Sequence, residues 1–282
     1  MNSMAPGKNE LLRAFGKGVS GAEVVYHEGD DYQDCYVAVM LGTVSYRGPD
    51  NPDPANIIRG EVEKYHSGPK IYLDGYVFKE WTRERYWRVH INSLYYSKSQ
   101  WLLQQPEDRW DYIVKYNSKL KVQPWRTTGE HILLCMQREG GWMMKGRDPM
   151  EWAQTTINKI REYTDRPILI RPHPANPKIY QFSGINITSR MRPIDSDLDK
   201  AWCVVTNNSS VAVEPVIRGI PLFLTDADCL AAPVANFDFS RIEDPELMDR
   251  YLCGWLNELA HTIWTKNEMA GGLTWKTIEQ YL

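Results

Sequence analysis

The chain has 282 residues, a net charge of −3, 43% apolar and 12% aromatic residues. That apolar content supports a packed core and excludes a disordered chain, while no run approaches the roughly 18 apolar residues of a bilayer-spanning helix. Lys and Arg number 17 against 16 Asp and Glu over residues 1–127, then 16 against 20 over 128–282, so neither half is a general polyanion binder by charge.

The first residues, MNSMAPGKNELL, lack an apolar signal region, and the expected location is cytoplasmic. The pattern predicts a helix over 10–17 and short strands over 23–26 and 36–41. The Pro- and Asp-rich segment RGPDNPDPAN, 47–56, reads as a loop. A helix over 57–65 should follow, then a strand over 70–78 interrupted by Asp74-Gly75. Residues 79–126 are aromatic and basic with weak periodicity, and KVQPWRTTGEH (121–131) has the look of a linker. Beyond it the pattern is plainer. Strands are expected over 131–137, 167–174, 201–206 and 221–225, and helices over 149–164, 210–218, 245–261 and 273–282. The five cysteines, 35, 135, 203, 229 and 253, form no closely spaced pair and read as reduced residues, with Cys135 and Cys203 inside apolar strands.

Alternating strands and helices with continuously apolar strands imply a parallel sheet covered on both faces, and such sheets bind ligands beyond the carboxyl ends of their strands. The polar clusters fall there: Arg138-Glu139-Gly140-Gly141 after one strand, Arg171-Pro172-His173-Pro174 after the next, and Asn207 to Ser210 after a third. A serine before a helix is ordinarily a cap, but two adjacent hydroxyls beside helix-terminal N–H groups also form a phosphate site. Arg171 and His173, two apart on an extended segment, would project the same way and suit an anion such as the phosphates of a nucleotide sugar. The Gly140-Gly141 pair would let backbone approach a ligand. Glu214, one turn into the helix, reads as an exposed helix residue or as a carboxylate for ribose hydroxyls. Pro215 beside it should kink that helix or delay its start.

With RPHP and NNSS in that order, and SSVAVEPVIRGIPLFL after them, residues 130–282 resemble the nucleotide-sugar half of a GT-B glycosyltransferase. The group in question includes bacterial sialyltransferases and capsule Kdo-transferases. The resemblance implies an α/β, GT-B-like chain with two Rossmann-like parallel-sheet domains facing a central cleft. The expected domains are residues 1–125 on the acceptor side and 126–282 on the donor side, with the C-terminal helix able to cross back to the first. It further implies His173, Ser209 and Ser210 as ligands of the donor phosphate and Glu214 as a ribose ligand. In those sialyltransferases an acidic pair before glycine supplies a general base, and YLDGY offers Asp74 alone. A carboxylate suits proton removal from an acceptor hydroxyl; an Asp-Gly hairpin turn is the other reading. Two triplets, Asp195-Ser196-Asp197 and Asp226-Ala227-Asp228, lie outside the GT-A setting in which such triplets hold a metal, and no metal or cofactor is expected beyond the donor, UDP- or CMP-linked.

The stretch WTRERYWRVHINSLYYSKSQW, 81–101, sets Arg83, Arg85, Arg88, His90 and Lys98 among aromatic residues. That mixture suits a nucleic acid, a sugar acceptor, or the core of a small domain. Together with PWRTTGEHILLC it also gives the chain a likeness to compact phage-encoded glycosyltransferases that modify hydroxylated DNA bases. The expected activity is therefore metal-independent transfer of a sugar to a hydroxyl, with duplex DNA carrying hydroxylated bases as one acceptor. A polysaccharide or lipid-linked acceptor, and a non-catalytic nucleotide- or DNA-binding protein on the same scaffold, are the alternatives.

Overall fold

The structure, a computed structural model, describes residues 6–29, 31–45, 54–78, 82, 84–176, 178–251 and 253–282. The chain divides into two compact units, residues 1–119 with 256–282, and residues 120–255. The first break in the chain falls at 119/120, where 125/126 was expected, and residues 256–282 group with the first unit, a longer stretch than the one C-terminal helix that was expected to be able to cross back.

The first unit begins with α1 (Pro6–Gly18), β1 (Ala38–Leu41), α2 (Pro54–Tyr65), β2 (Lys70–Val77), β3 (Tyr86–Ile91) and α3 (Arg109–Tyr116). Residues 23–26, expected as a strand, are irregular, and Val25 is 71% exposed. Pairing β1–β2 is parallel, but β2–β3 is antiparallel. An all-parallel sheet was expected here, and the chain length forbids it. Residues 78–85 link β2 to β3, too few for the dozen or so that a parallel crossover needs. Asp74-Gly75 lies inside β2, and the register shift between Asp74 and Tyr76 is a bulge, not a hairpin turn. The extra residue returns Tyr76 to the apolar face carrying Ile71, Leu73, Trp87, Val89 and Ile91, where it packs against Trp87 with ring centroids 5.0 Å apart.

In the second unit β4 (His131–Cys135), α4 (Pro149–Arg161), β5 (Ile168–Arg171), β6 (Asn186–Ile187), α5 (Asp195–Leu198), β7 (Ala201–Thr206), α6 (Val213–Ile217) and β8 (Leu222–Leu224) follow in turn. Their sheet has the order β6-β5-β4-β7-β8 and every pairing is parallel. One face, with Ile132, Leu134, Ile170, Cys203, Val205 and Phe223, packs in one cluster with Trp152, Ile157 and Ile160 of α4. Leu133, Val204 and Leu222 point to the other face and are equally excluded from water. Coverage of both faces explains why these strands read as unbroken apolar runs. Asp148 caps α4 by accepting from Met150 and Glu151 N–H, with Pro149 at the first helical position.

Between β7 and β8 the chain turns at Gly219, whose φ is +71° and whose missing Cβ would fall 1.9 Å from the Pro124 carbonyl oxygen. Only glycine meets both conditions. Residues 245–251, 253 and 254, expected as helix, are irregular. Arg250 is buried there, donating to the Val216 and Gln123 carbonyls and lying over the Trp125 ring, and Gly254 has φ +75°. Tertiary bonds outweigh helix propensity in this segment. The chain ends with α7 (Trp255–Thr262), β9 (Ile263–Trp264), which pairs antiparallel with β3, then α8 (Lys266–Ala270) and α9 (Leu273–Ile278).

Candidate functional site on the carboxyl edge of the parallel sheet

The final rung of the second unit's sheet joins Arg171, Cys135, Thr206 and Leu224 on β5, β4, β7 and β8. Met136 N–H to the Arg171 carbonyl and Thr225 N–H to the Thr206 carbonyl carry the ladder one residue further. Two residues past the rung stand His173, Gln137, Asn208 and Asp226, one on each of four adjacent strands, with Ser209 and Ser210 directly following Asn208. The strand order puts Gln137 between His173 and the Asn-Ser-Ser turn. Parallel pairing in register is what brings residues so distant in the chain to one edge.

His173 is half-buried and accepts a hydrogen bond at Nδ1 from the Ala175 N–H, 3.1 Å away. The neutral ring therefore carries its proton on Nε2 and is a donor there. Burial, and secondarily the charge of Arg138, push its pKa down to about 4. Arg138 follows Gln137 at the end of β4, the strand paired with β5, so its backbone leaves the sheet beside the segment that carries His173. Gly140 has φ +66° and the Gly141 N–H donates to the Arg138 carbonyl, so the glycine pair closes the turn that carries Arg138.

Arg171 lies behind the edge. It donates to the fully buried Asp197 carboxylate, and to the Arg192 carbonyl at 2.7 Å. Asp197 also accepts from Thr188 Oγ1 at 3.0 Å. A donor contact was expected for Arg171; its guanidinium is bound within the fold, at the carboxyl end of the strand that leads to His173. Glu214 is likewise buried, and its charge is felt by Cys135 on β4. One of its carboxylate oxygens is sealed from solvent.

The turn after β7 resolves the conflict around Pro215. Ser209 caps a single 3-10 turn, Ser210–Ala212, through Val211 N–H to Ser209 Oγ at 3.3 Å. The helix becomes α only at Val213. Pro215 then sits in the first turn of α6, where its missing N–H has no intrahelical acceptor to lose. The Ser210 side chain is half-buried at the start of the 3-10 turn. Asn207 is fully buried and holds neighbouring loops together: Arg147 and Thr225 donate to its Oδ1 at 3.0 and 2.8 Å, and its Nδ2 donates to the Met143 carbonyl at 3.1 Å. The triplet Asp226-Ala227-Asp228 holds Lys145, at 3.1 Å from Asp226 and 2.8 Å from Asp228. Asp195 of the other triplet pairs with Arg218.

Gln137 was read from the sequence only as the last residue of a strand. In the fold it is 4% exposed and its amide nitrogen has no hydrogen-bond partner among the described residues; the same holds for the amide nitrogen of Asn208, 3% exposed. The available signal was a single polar residue closing the apolar run HILLCMQ.

Among the acceptor-side expectations, Asp74 receives a hydrogen bond from Arg88 at 2.5 Å, and Arg88 also donates to the Gly75 carbonyl at 3.1 Å. Arg88 and His90 are 5% and 2% exposed, so neither presents a surface to an acceptor. Burial and the Arg88 charge push the His90 pKa down to about 3. Arg85 is exposed, stacked on the Tyr76 ring at 4.8 Å, and Arg83 lies outside the described residues. The basic-aromatic stretch is in large part the core and ion-pair layer of the first unit: Trp87, Val89, Ile91 and Trp101 join its apolar cluster.

No family model matches the chain, and no curated protein matches it. Among solved structures it is similar to Thermosulfurimonas dismutans KpsC, a beta Kdo 2,4 transferase, at 12% identity and a TM-score of 0.43, over 80% of this chain and 91% of that one. At so loose a superposition, function has to be read from the side chains on the sheet edge.

Proposed function

We propose that the chain is a glycosyltransferase that binds a nucleotide-activated sugar on the carboxyl edge of its parallel sheet and transfers the sugar to a hydroxyl. One observation carries this reading: His173, an uncharged Nε2–H donor beside Arg138, shares an edge with the Ser209-Ser210 turn, one strand apart. Fixed neutral donors beside one arginine suit a phosphodiester that must be held but also released after sugar transfer. His173, Arg138 and Ser210 hold the phosphate, and Ser209 shapes the turn. Glu214 and Arg171 support the edge from behind, which replaces the direct donor contacts expected for both. Asp74, anchored by Arg88, is proposed as the group that takes the acceptor proton through its remaining oxygen.

Melting temperature measured with UDP, CMP, GDP and their sugars tests the first step. Binding to the folded state raises stability by about 2.7 kcal/mol at a hundredfold excess over Kd. One nucleotide series should raise the melting temperature, and His173→Ala should remove both that rise and sugar transfer. No response to any nucleotide overturns the proposal. Binding without turnover on any acceptor favours a non-catalytic nucleotide-binding protein. Hydroxylated duplex DNA, a polysaccharide and a lipid-linked acceptor, offered in parallel with mass analysis of products, identify the acceptor class; described exposed cations of the 81–101 stretch are Arg85 and Lys98, which gives the DNA arm a specific pair to mutate.

A further inference from the structure

Burying an amide N–H without a partner is costly, and native structures rarely tolerate it unless something meets the group. Here two such groups, the side-chain nitrogens of Gln137 and Asn208, stand on neighbouring strands in the row that also holds His173. Each residue is more than nine-tenths buried. Each lies two positions past the last rung, continuing the face of Cys135 and Thr206. The neighbouring cations have partners of their own: Lys145 pairs with Asp226 and Asp228, Arg147 donates to Asn207 and lies 3.8 Å from Asp226, and Arg171 pairs with Asp197. The central part of the row thus offers neutral hydrogen-bond donors, with the buried Glu214 carboxylate on the helix that follows the Asn-Ser-Ser turn.

From this we infer that Gln137 and Asn208 are ligands of the donor phosphate, their amide groups donating to its oxygens alongside His173 Nε2–H. The inference rests on the proposed donor site and assigns its centre, the strand end between the His-Pro and Ser-Ser turns. An anion is held there by three neutral donors on three adjacent strands, with Arg138 at one side. Neutral donors in a buried setting bind an oxyanion strongly because the low surrounding dielectric strengthens each bond. They do so without attracting every polyanion in solution.

Gln137→Met and Asn208→Leu test this on the full chain, because they remove the N–H groups while roughly preserving volume. Affinity is measured by calorimetry for CMP and UDP, with cytidine and uridine as probes lacking phosphate. Each variant should weaken the nucleotide that binds the unmodified chain by about tenfold or more, the size expected on losing a hydrogen bond to a charged group. Nucleoside affinity should be unchanged. The melting temperature without nucleotide should hold or rise, since an orphan buried amide has been replaced by an apolar group. Asn208→Asp, isosteric and therefore expected to fold, should weaken nucleotide binding at neutral pH and recover part of it as the new carboxyl is protonated. Nucleotide affinity within twofold of the unmodified chain overturns the inference while leaving the donor site standing. Equal losses for nucleoside and nucleotide overturn it in favour of base or ribose contacts. A large fall in melting temperature with Asn208→Asp affinity intact makes the amides structural. If the unmodified chain binds no nucleotide, both readings fall.

Discussion

His173 enters any binding event uncharged, because its ring is held well below the usual histidine range, at about 4, by burial and by Arg138. The Ala175 N–H fixes which nitrogen carries the proton. Affinity for a nucleotide sugar, whose phosphodiester keeps its charge throughout, should therefore be flat from about pH 8 down to about pH 5.5, where an ordinary histidine would have gained charge and tightened binding. Calorimetric titration across that range is the check, and a rise in affinity on acidification through about pH 6.5 would show a cationic histidine at work instead. Arg171 makes a contrasting case two residues earlier. Its partner Asp197 is wholly buried, so Asp197→Ala leaves a guanidinium uncompensated behind the edge. A loss of about 3 kcal/mol is expected, the range for breaking a buried pair from one side. Urea unfolding measures it, and a change under about 0.5 kcal/mol, typical of surface substitutions, would mean the pair is not structural.

The joint between β7 and α6 separates two roles that neighbouring serines can play. Ser209→Ala removes the cap on Val211 N–H and should cost about 1 kcal/mol of stability. Ser210→Ala removes a hydroxyl that takes no part in that cap, and should leave stability within about 0.5 kcal/mol while reducing nucleotide affinity. A pair of variants with equal effects on both readouts would contradict the division of labour. This joint is also legible in the sequence: an apolar run, four small polar residues, a short amphipathic piece and Arg-Gly predict strand, turn, helix and strand in the right order. Parallel pairing then made the edge clusters meet, which periodicity plus chain order could foresee. Gln137 could not be singled out that way, since its burial depends on which strands flank β4. Nor could the 245–254 segment, where Arg250 bonds to carbonyls more than thirty residues away. The mixed sheet of the first unit had a readable cue in the short 78–85 connection, but Asp74-Gly75 concealed it by imitating a turn where the chain only bulges.

At the scale of the whole molecule, three buried or half-buried histidines in the two units share a sign that local inspection does not reveal. His90, His173 and His261 all have depressed pKa values, each chiefly through burial, to about 3 for His90 and about 4 for His173. In the unfolded chain each titrates near its ordinary value of about 6.5. Above that pH both states are neutral at these rings, and the folded state keeps its full advantage. As the pH falls below about 6.5 the unfolded state takes up protons that the folded state refuses, so stability declines. The slope approaches about 1.4 kcal/mol per pH unit for each ring and continues until the folded ring itself titrates. Glu243, held low by Arg166, adds a loss of the same sign once the pH drops below the usual glutamate range. His90 should dominate, since it is the most deeply buried of the three and neither ring nitrogen has a partner among the described residues. Replacing it with glutamine removes the titration and keeps a polar side chain of similar reach. Urea unfolding at intervals between about pH 7.5 and pH 4.5 should show the steep decline in the original chain and a shallower one in His90→Gln, the two curves converging in slope above about pH 6.5. Parallel curves throughout would mean that the His90 ring is hydrated in the folded chain, against its 2% exposure.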